Sequence, residues 1–339
     1  MQFSAMRAIK DSPATIVLFC LLTIGVCARA AADDSRLFAF KFQTNQPLVY
    51  AVSLKFRTVT ENNVGGKTTM LSNTRDIRYR ARLTEYRMNP DGTTLVHFKP
   101  YHLAEDLDNT GQGHSVAQIR DLKIKSLQNG IVTIDTENNV GMGQANSIRI
   151  NVYPNLLSGY FNIAPSGRTL TFEGDLPFVD YWTGMLKGRL GFFYLYFPDH
   201  PVGIHETWTE TILNSSSGGV TLDNPLTFTN TFTREPDLTT NGNPVATFDM
   251  TGGDHLQNIS GYSEQNGQKS SLNISQMDRN TFGTYQFDQK RGVLLAAQTT
   301  ETGDVSIDLL VQGNPVSSHI NSKTEVQIDL VTDPVEPKK

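Results

Sequence analysis

Asp199, His200, His205 and Glu206 stand within eight residues of one another. Imidazole with carboxylate is a donor set that holds zinc. The spacing His200-x4-His205 is not a helical i, i+4 pair, and the intervening Pro201-Val-Gly203 sets no fixed ligand geometry. These residues are therefore expected to be polar turn residues ahead of a strand, with no metal and no cofactor. Glu105-Asp-Leu-Asp-Asn-Thr-Gly111 echoes the start of a calcium loop, with Asp106, Asp108 and Thr110 at positions 1, 3 and 5. Position 12 is Ala117, where a bidentate Glu is required, so a polar acidic loop is expected instead. Glu173, Asp175, Asp180, Glu206 and Glu210 offer pairs of carboxylates for glycoside hydrolysis, which needs an acid and a base a few ångströms apart. Ser158 and Ser166 lack the G-x-S-x-G elbow of a nucleophile, and no phosphate-binding G-x-x-x-x-G-K-[ST] loop is present. His97, His102, His114, His255 and His319 are scattered singly, and Asn214, Asn258 and Asn273 head Asn-x-Ser sequons.

The elements that must position these groups are strands. Phe38, Phe40 and Phe42 alternate with Ala39 and Lys41, and Tyr50, Val52, Leu54 and Phe56 alternate with Ala51, Ser53 and Lys55. Ile77, Tyr79, Ala81 and Leu83 interleave with three arginines, and Asn89-Pro-Asp-Gly92 then turns the chain into Leu95–Phe98. Further strands are expected at Leu170–Glu173, Thr207–Leu213, Leu226–Arg234, Val245–Met250, Thr284–Phe287, Val293–Thr300 and Thr324–Val331. Ser115–Ser126 and Phe178–Leu190 read as short helices. The expected class is all-β, with antiparallel curved sheets and little helix.

A strand, polar loop, strand, Asn/Gly turn and strand recur after Tyr50 and again after Trp208. That repeat divides the chain into an N-terminal β lobe (33–173), an aromatic-rich connecting segment (174–197) and a C-terminal β lobe (198–332). Two halves of one large sheet would leave the same trace. Residues 176–197 hold Phe178, Tyr181, Trp182, Phe192, Phe193, Tyr194, Tyr196 and Phe197. Such a belt either glues the lobes together or lines an apolar cavity.

Residues 1–32 read as a signal peptide: Arg7 and Lys10, then the apolar run Ala14–Val26, then Ala28-Arg-Ala-Ala-Ala32. Both cysteines, Cys20 and Cys27, fall inside it, so a mature chain from Ala31 or Asp33 has neither disulfide nor thiolate chemistry. The apolar run is too short to anchor the chain across a bilayer. The expected location is periplasmic or extracellular. A formal net charge of −5 without a basic run argues against nucleic acid as a partner. Residues 333–339 read as a disordered tail.

The proline-flanked turn with Pro201-Val202, Gly203 and Trp208, together with Gly174-Asp-Leu-Pro-Phe178 and Phe287-Asp-Gln-Lys-Arg-Gly-Val-Leu294, resembles a motif of uncharacterised secreted all-β bacterial proteins of the domain-of-unknown-function type. The resemblance covers roughly the second half of the chain, implies no known activity and supplies no catalytic residue. Export, strand richness and the apolar belt also give a likeness to LolA-type periplasmic lipid carriers. The expected function is an exported, non-enzymatic β-protein that binds a hydrophobic or lipid-like ligand at the lobe junction. Phe178, Tyr181, Trp182, Phe192, Phe193, Tyr196 and Trp208 are the expected ligand-binding residues. The alternatives are a structural module of the cell envelope with a protein partner, and a carbohydrate-active hydrolase using paired carboxylates.

Overall fold

Alternation of the kind seen at Tyr50, Val52 and Leu54 gives a strand one face to bury, and most of the described residues lie in strands. The structure, a computed structural model, describes residues 34–43, 46–111, 113–121, 123–146, 159–173, 195–217, 220–240, 242–265, 268–311 and 314–331. Fourteen strands follow in chain order. The first eight are β1 (Leu48–Val64), β2 (Lys67–Met88), β3 (Thr94–Thr110), β4 (His114–Arg120), β5 (Lys123–Gln128), β6 (Ile131–Asp135), β7 (Gly159–Ile163) and β8 (Thr169–Glu173). The rest are β9 (Thr207–Ser217), β10 (Val220–Thr240), β11 (Asn243–Gln265), β12 (Gln268–Asp288), β13 (Val293–Val311) and β14 (Asn314–Val331). Among the described residues the helix content is one turn at 142–146.

All pairings between these strands are antiparallel, in a single sheet ordered β6-β5-β4-β3-β2-β1-β14-β13-β12-β11-β10-β9. The first half of β3 also pairs with β7, which pairs with β8. The sheet has ends at β6 and β9 and is not closed into a barrel. The N- and C-terminal halves meet where β1 runs against β14 from Val49↔Val331 to Val64↔Val316. One register row crosses that seam: Phe232, Met250, Gly283, Thr299, Val326, Leu54 and Ile77. The two halves thus share one sheet, and one cluster of buried apolar residues draws on both.

The segment expected as a helix at Ser115–Ser126 is instead the hairpin of β4 and β5. Its Ile119 and Ile124 face each other and pack with Ile134 and Ala145 in a small separate cluster. The β-branched residues fit a pleated surface, and Asp121, at φ 52°, supplies the turn. The expected Asn89–Gly92 turn is present: the Asp91 carboxylate accepts the Thr93 amide at 3.0 Å and its hydroxyl at 2.8 Å.

The core sits at one end of the sheet, where residues 34–42 and 195–202 cross it. Phe40 N–H donates to Pro165 O at 2.7 Å and Phe197 N–H to Ser166 O at 2.9 Å. Arg36 and Val202 exchange two backbone bonds. Phe38, Phe40 and Phe197 interlock with Phe248 and Phe287 from the sheet, at ring separations of 4.8–5.5 Å. Gly167 permits this approach, because a Cβ there would stand 2.5 Å from the Phe40 ring.

Tyr50 is fully buried, its hydroxyl donating to Leu294 O at 3.1 Å, and burial pushes its ionisation far above the ordinary phenol value. A folded-state pKa above the unfolded value of about 10 gives stability that is intact below about pH 10 and lost as pH rises beyond it. Tyr50→Phe should cost about 1 kcal/mol at neutral pH through the lost bond. It should also show a smaller fall in melting temperature between neutral and strongly alkaline buffer than the parent. Equal alkaline falls for the two chains would contradict this account.

Candidate functional site

The buried face of the sheet is layered along the strands. Beyond the aromatic end lies a polar belt, one to two register rows deep. Arg279, nearly buried, ion-pairs with Asp254 at 2.8 Å, reaches Glu301 at 3.4 Å and donates to Asn230 Oδ1 at 2.9 Å. Its guanidinium lies 4.7 Å from the centre of the Phe228 ring. Asn230 Nδ2 and Thr281 Oγ1 are buried in the same belt with no hydrogen-bond partner among the described residues. Buried polar atoms are nearly always satisfied by protein, water or ligand. At the other flank of the belt, on β2 and β3, Arg75 pairs with buried Glu105 at 2.6 Å.

Past the belt, toward the hairpin tips, the same face turns apolar again. Leu256, Met277 and Val305 form one register row across β11, β12 and β13. Ile259, Ile274 and Ile307 form the next, and Leu272 faces Leu309 beyond it. Asn258, at φ 54°, bulges β11 so that Leu256 and Ile259, three residues apart, join the same cluster. Leu256, Ile259, Met277, Val305, Ile307 and Leu309 are half-buried. The opposite face of the sheet is charged. Lys55 stands across from Glu325, Lys323 pairs with Glu325 at 2.8 Å, and Asp106 takes both Arg78 and Arg120. A lipid-facing barrel requires the reverse alternation, apolar outward and polar within. No helix of the described residues is long and apolar enough to cross a membrane.

The sequence-derived candidates distribute differently. Tyr196 and Trp208 are buried core residues: the indole N–H donates to Tyr196 O at 2.7 Å, and the Trp208 ring stacks on Phe232 at 5.5 Å. Phe178, Tyr181, Trp182, Phe192 and Phe193, with the helix expected at Phe178–Leu190, lie outside the described residues. In the 199–206 turn the two histidines look to different carboxylates. His200 Nδ1 is 3.7 Å from Glu206, and His205 Nδ1 is 3.7 Å from Glu235. Glu206 itself accepts the Gly203 amide at 2.7 Å. Among the described residues no group of three or more His, Cys, Asp or Glu is placed to hold a metal.

The expected loop Glu105–Gly111 is, up to Thr110, the second half of β3. Strand geometry sends Asp106 and Asp108 outward to Arg78, Arg120 and His114, while Glu105 points to the buried face. Of the paired carboxylates, Glu210 is ion-paired with Arg168, and Glu206 is engaged as above. The Glu173 side chain, Asp175 and Asp180 lie outside the described residues.

The distal stripe and the polar belt were not singled out from the sequence. A signal existed in Val305-Ser-Ile-Asp-Leu309, which alternates strictly. Only pairing with β12 reveals that its apolar side continues across neighbouring strands.

No family model and no curated protein matches the chain. Among solved structures, it is similar to an outer-membrane channel from Pseudomonas putida F1, at 8% identity and a TM-score of 0.20, covering 88% of this chain and 98% of that one. Similar values hold for the translocator domain of the autotransporter NalP from Neisseria meningitidis: 6% identity, TM-score 0.17, and 91% and 97% of the two chains. OpdH of Pseudomonas aeruginosa gives 7% identity, a TM-score of 0.22, and 85% and 99%. At such scores the likeness assigns neither architecture nor role.

Proposed function

We propose that the chain is an exported, non-enzymatic carrier that holds a lipid-like amphiphile on the buried face of its sheet. The ligand's apolar part lies along the distal stripe, and its polar group meets the belt at Arg279, Asn230 and Thr281. The observation that carries this reading is the stripe itself. Half-buried aliphatic side chains on three adjacent strands lie in register at the far end of the core cluster, beside the buried polar group centred on Arg279. An incompletely covered apolar stripe beside a polar group with unsatisfied atoms suits a molecule with two unlike ends. Burying apolar area stabilises such a complex by roughly 25 cal/mol per Å² before the costs of association. The engagement of Glu206 and Glu210 in structural contacts favours this reading over the hydrolase.

The test is native mass spectrometry of the gently purified exported chain, followed by organic extraction and titration with a fluorescent fatty acid. A reproducible lipid adduct and saturable probe binding are expected. Ile307→Asp should weaken probe binding about tenfold or more, because an ionised carboxylate resists burial beside an alkyl chain. Thr302→Asp, exposed on the opposite face of the same strand, should leave binding unchanged. A clean apo mass in every preparation with no saturable titration would sink the carrier and leave the structural envelope module.

A further inference from the structure

At the opposite end of the strands, about 40 Å from Val305 at ~3.4 Å per residue, residues 36–41, the start of β11 and the turn after β12 enclose an open cleft of about 620 Å³. Its charge runs against that of the chain. Arg36, Lys41, Lys290 and Arg291 line it, with Asp288 the one carboxylate among its lining residues, in a chain of net charge −5.

Two of these five groups are already engaged. Arg36 is held between Asp34 and Asp237. The Asp288 carboxylate accepts the Arg291 amide at 3.0 Å, capping its own turn. Lys41, Lys290 and Arg291 are exposed and have no ion-pair partner among the described residues. The three belong to two segments that are locked together. Lys41 N–H donates to Gly292 O at 2.8 Å, and Gly292 N–H donates to Asp288 O at 2.7 Å. Gly292 sits at φ +69°, where a Cβ would stand 2.6 Å from Lys41 Cγ and 2.9 Å from Ala39 O. The backbone therefore holds one lysine against a turn carrying two further cations, although like charges in a shared cleft repel. The turn needs an acceptor at Asp288 and a glycine at 292, and nothing in its hydrogen bonding calls for Lys290 or Arg291. Exposed Leu37 and Pro244, with Ala39 and Ala246, give the cleft an apolar side.

We infer that this cleft is an anion site for a phosphate group borne on a molecule with a small apolar body. Lys41 and Lys290 supply point charges, and Arg291 supplies a planar fork that matches phosphate geometry. The Leu37–Pro244 side receives the adjoining carbon skeleton. The inference is independent of the carrier reading, which concerns the other end of the sheet and is tested by other variants and another probe.

The experiment is calorimetric titration of the full exported chain, at about physiological ionic strength, with inorganic phosphate and phenyl phosphate. Co-sedimentation with phosphatidylglycerol and with phosphatidylcholine vesicles runs in parallel. The parent chain is compared with the triple variant Lys41→Gln, Lys290→Gln, Arg291→Gln, whose side chains are exposed and whose melting temperature verifies folding. Phenyl phosphate should bind saturably and more tightly than inorganic phosphate, and the variant should lose about tenfold or more in affinity. If phosphatidylglycerol vesicles alone are bound, and the variant releases them, the phosphate belongs to a lipid headgroup. Binding of phenyl phosphate without vesicles identifies a soluble phosphomonoester. Failure of both probes to bind the parent, or undiminished binding by the folded variant, overturns the assignment.

Discussion

Arg234→Ala should lower stability by about 3–5 kcal/mol, the range for removing one partner from a buried ionic network. No larger side chain is so completely buried in the described residues, with none of its surface exposed. The guanidinium donates to the carbonyls of Asp34 and Val202, pairs with Asp237 at 3.2 Å, and lies 5.3 Å from the centre of the Phe38 ring. It therefore fastens the 34–42 segment to the 195–202 segment and both to β10. Alanine would remove the guanidinium from the Asp34 carbonyl, leave Val202 O with only its Arg36 amide, and open a void under Phe38. Lysine should not rescue the loss, since one ammonium cannot span two carbonyls and a carboxylate in the same plane. Asp237→Asn should cost less, because Arg234 keeps both carbonyl acceptors. The measurement is denaturant unfolding with unchanged m-value. A loss under about 1 kcal/mol for Arg234→Ala would show that the network contributes little beyond packing.

Arg234 also marks the limit of what the sequence could convey. As a residue type it reads as the charged end of the Leu226–Arg234 strand, and its burial depends on Phe38 arriving from nearly two hundred residues away. The strands themselves were legible where large apolar residues alternate, as at Tyr50–Phe56 and Leu226–Arg234. They were less legible through their distal halves, where runs of Thr, Ser and Asn interrupt the period. The strands consequently run longer than the alternation suggests, up to the 23 residues of β11. The Ser115–Ser126 hairpin was misread because Val116, Ile119 and Ile124 also satisfy a helical spacing over so short a span. The candidate site was hidden for a different reason. The distal stripe is assembled sideways, one row across three strands, and the basic cleft joins Lys41 to Lys290 and Arg291 through a turn contact that no local pattern encodes. Tyr196 and Trp208 were expected to bind ligand, and the fold places both inside the core.

The aromatic end provides the second large effect. Phe248→Ala should cost about 3–5 kcal/mol, as expected for emptying a fully buried phenylalanine site. Phe248 has no exposed surface and contacts Phe38 at 5.0 Å, Phe197 at 5.3 Å and Trp208 at 5.8 Å. Each lost ring contact adds a fraction of a kcal/mol to the transfer and cavity costs. The consequence reaches beyond a lowered melting temperature. Phe248 lies in the C-terminal half, yet the sheet is continuous through β1 and β14, and the core cluster includes Tyr50, Ala81 and Phe98 from the N-terminal half. Destabilisation at Phe248 should therefore accelerate hydrogen exchange of the β1 and β2 core amides as well as those of β11 and β12, and calorimetry should retain one transition. Two independent lobes would behave otherwise, with exchange in β1 and β2 untouched and a second transition separating from the first. The distinction also sharpens the test of the proposed carrier function, under which filling the β11–β13 stripe in a cooperative sheet should protect amides on both sides of the β1–β14 seam.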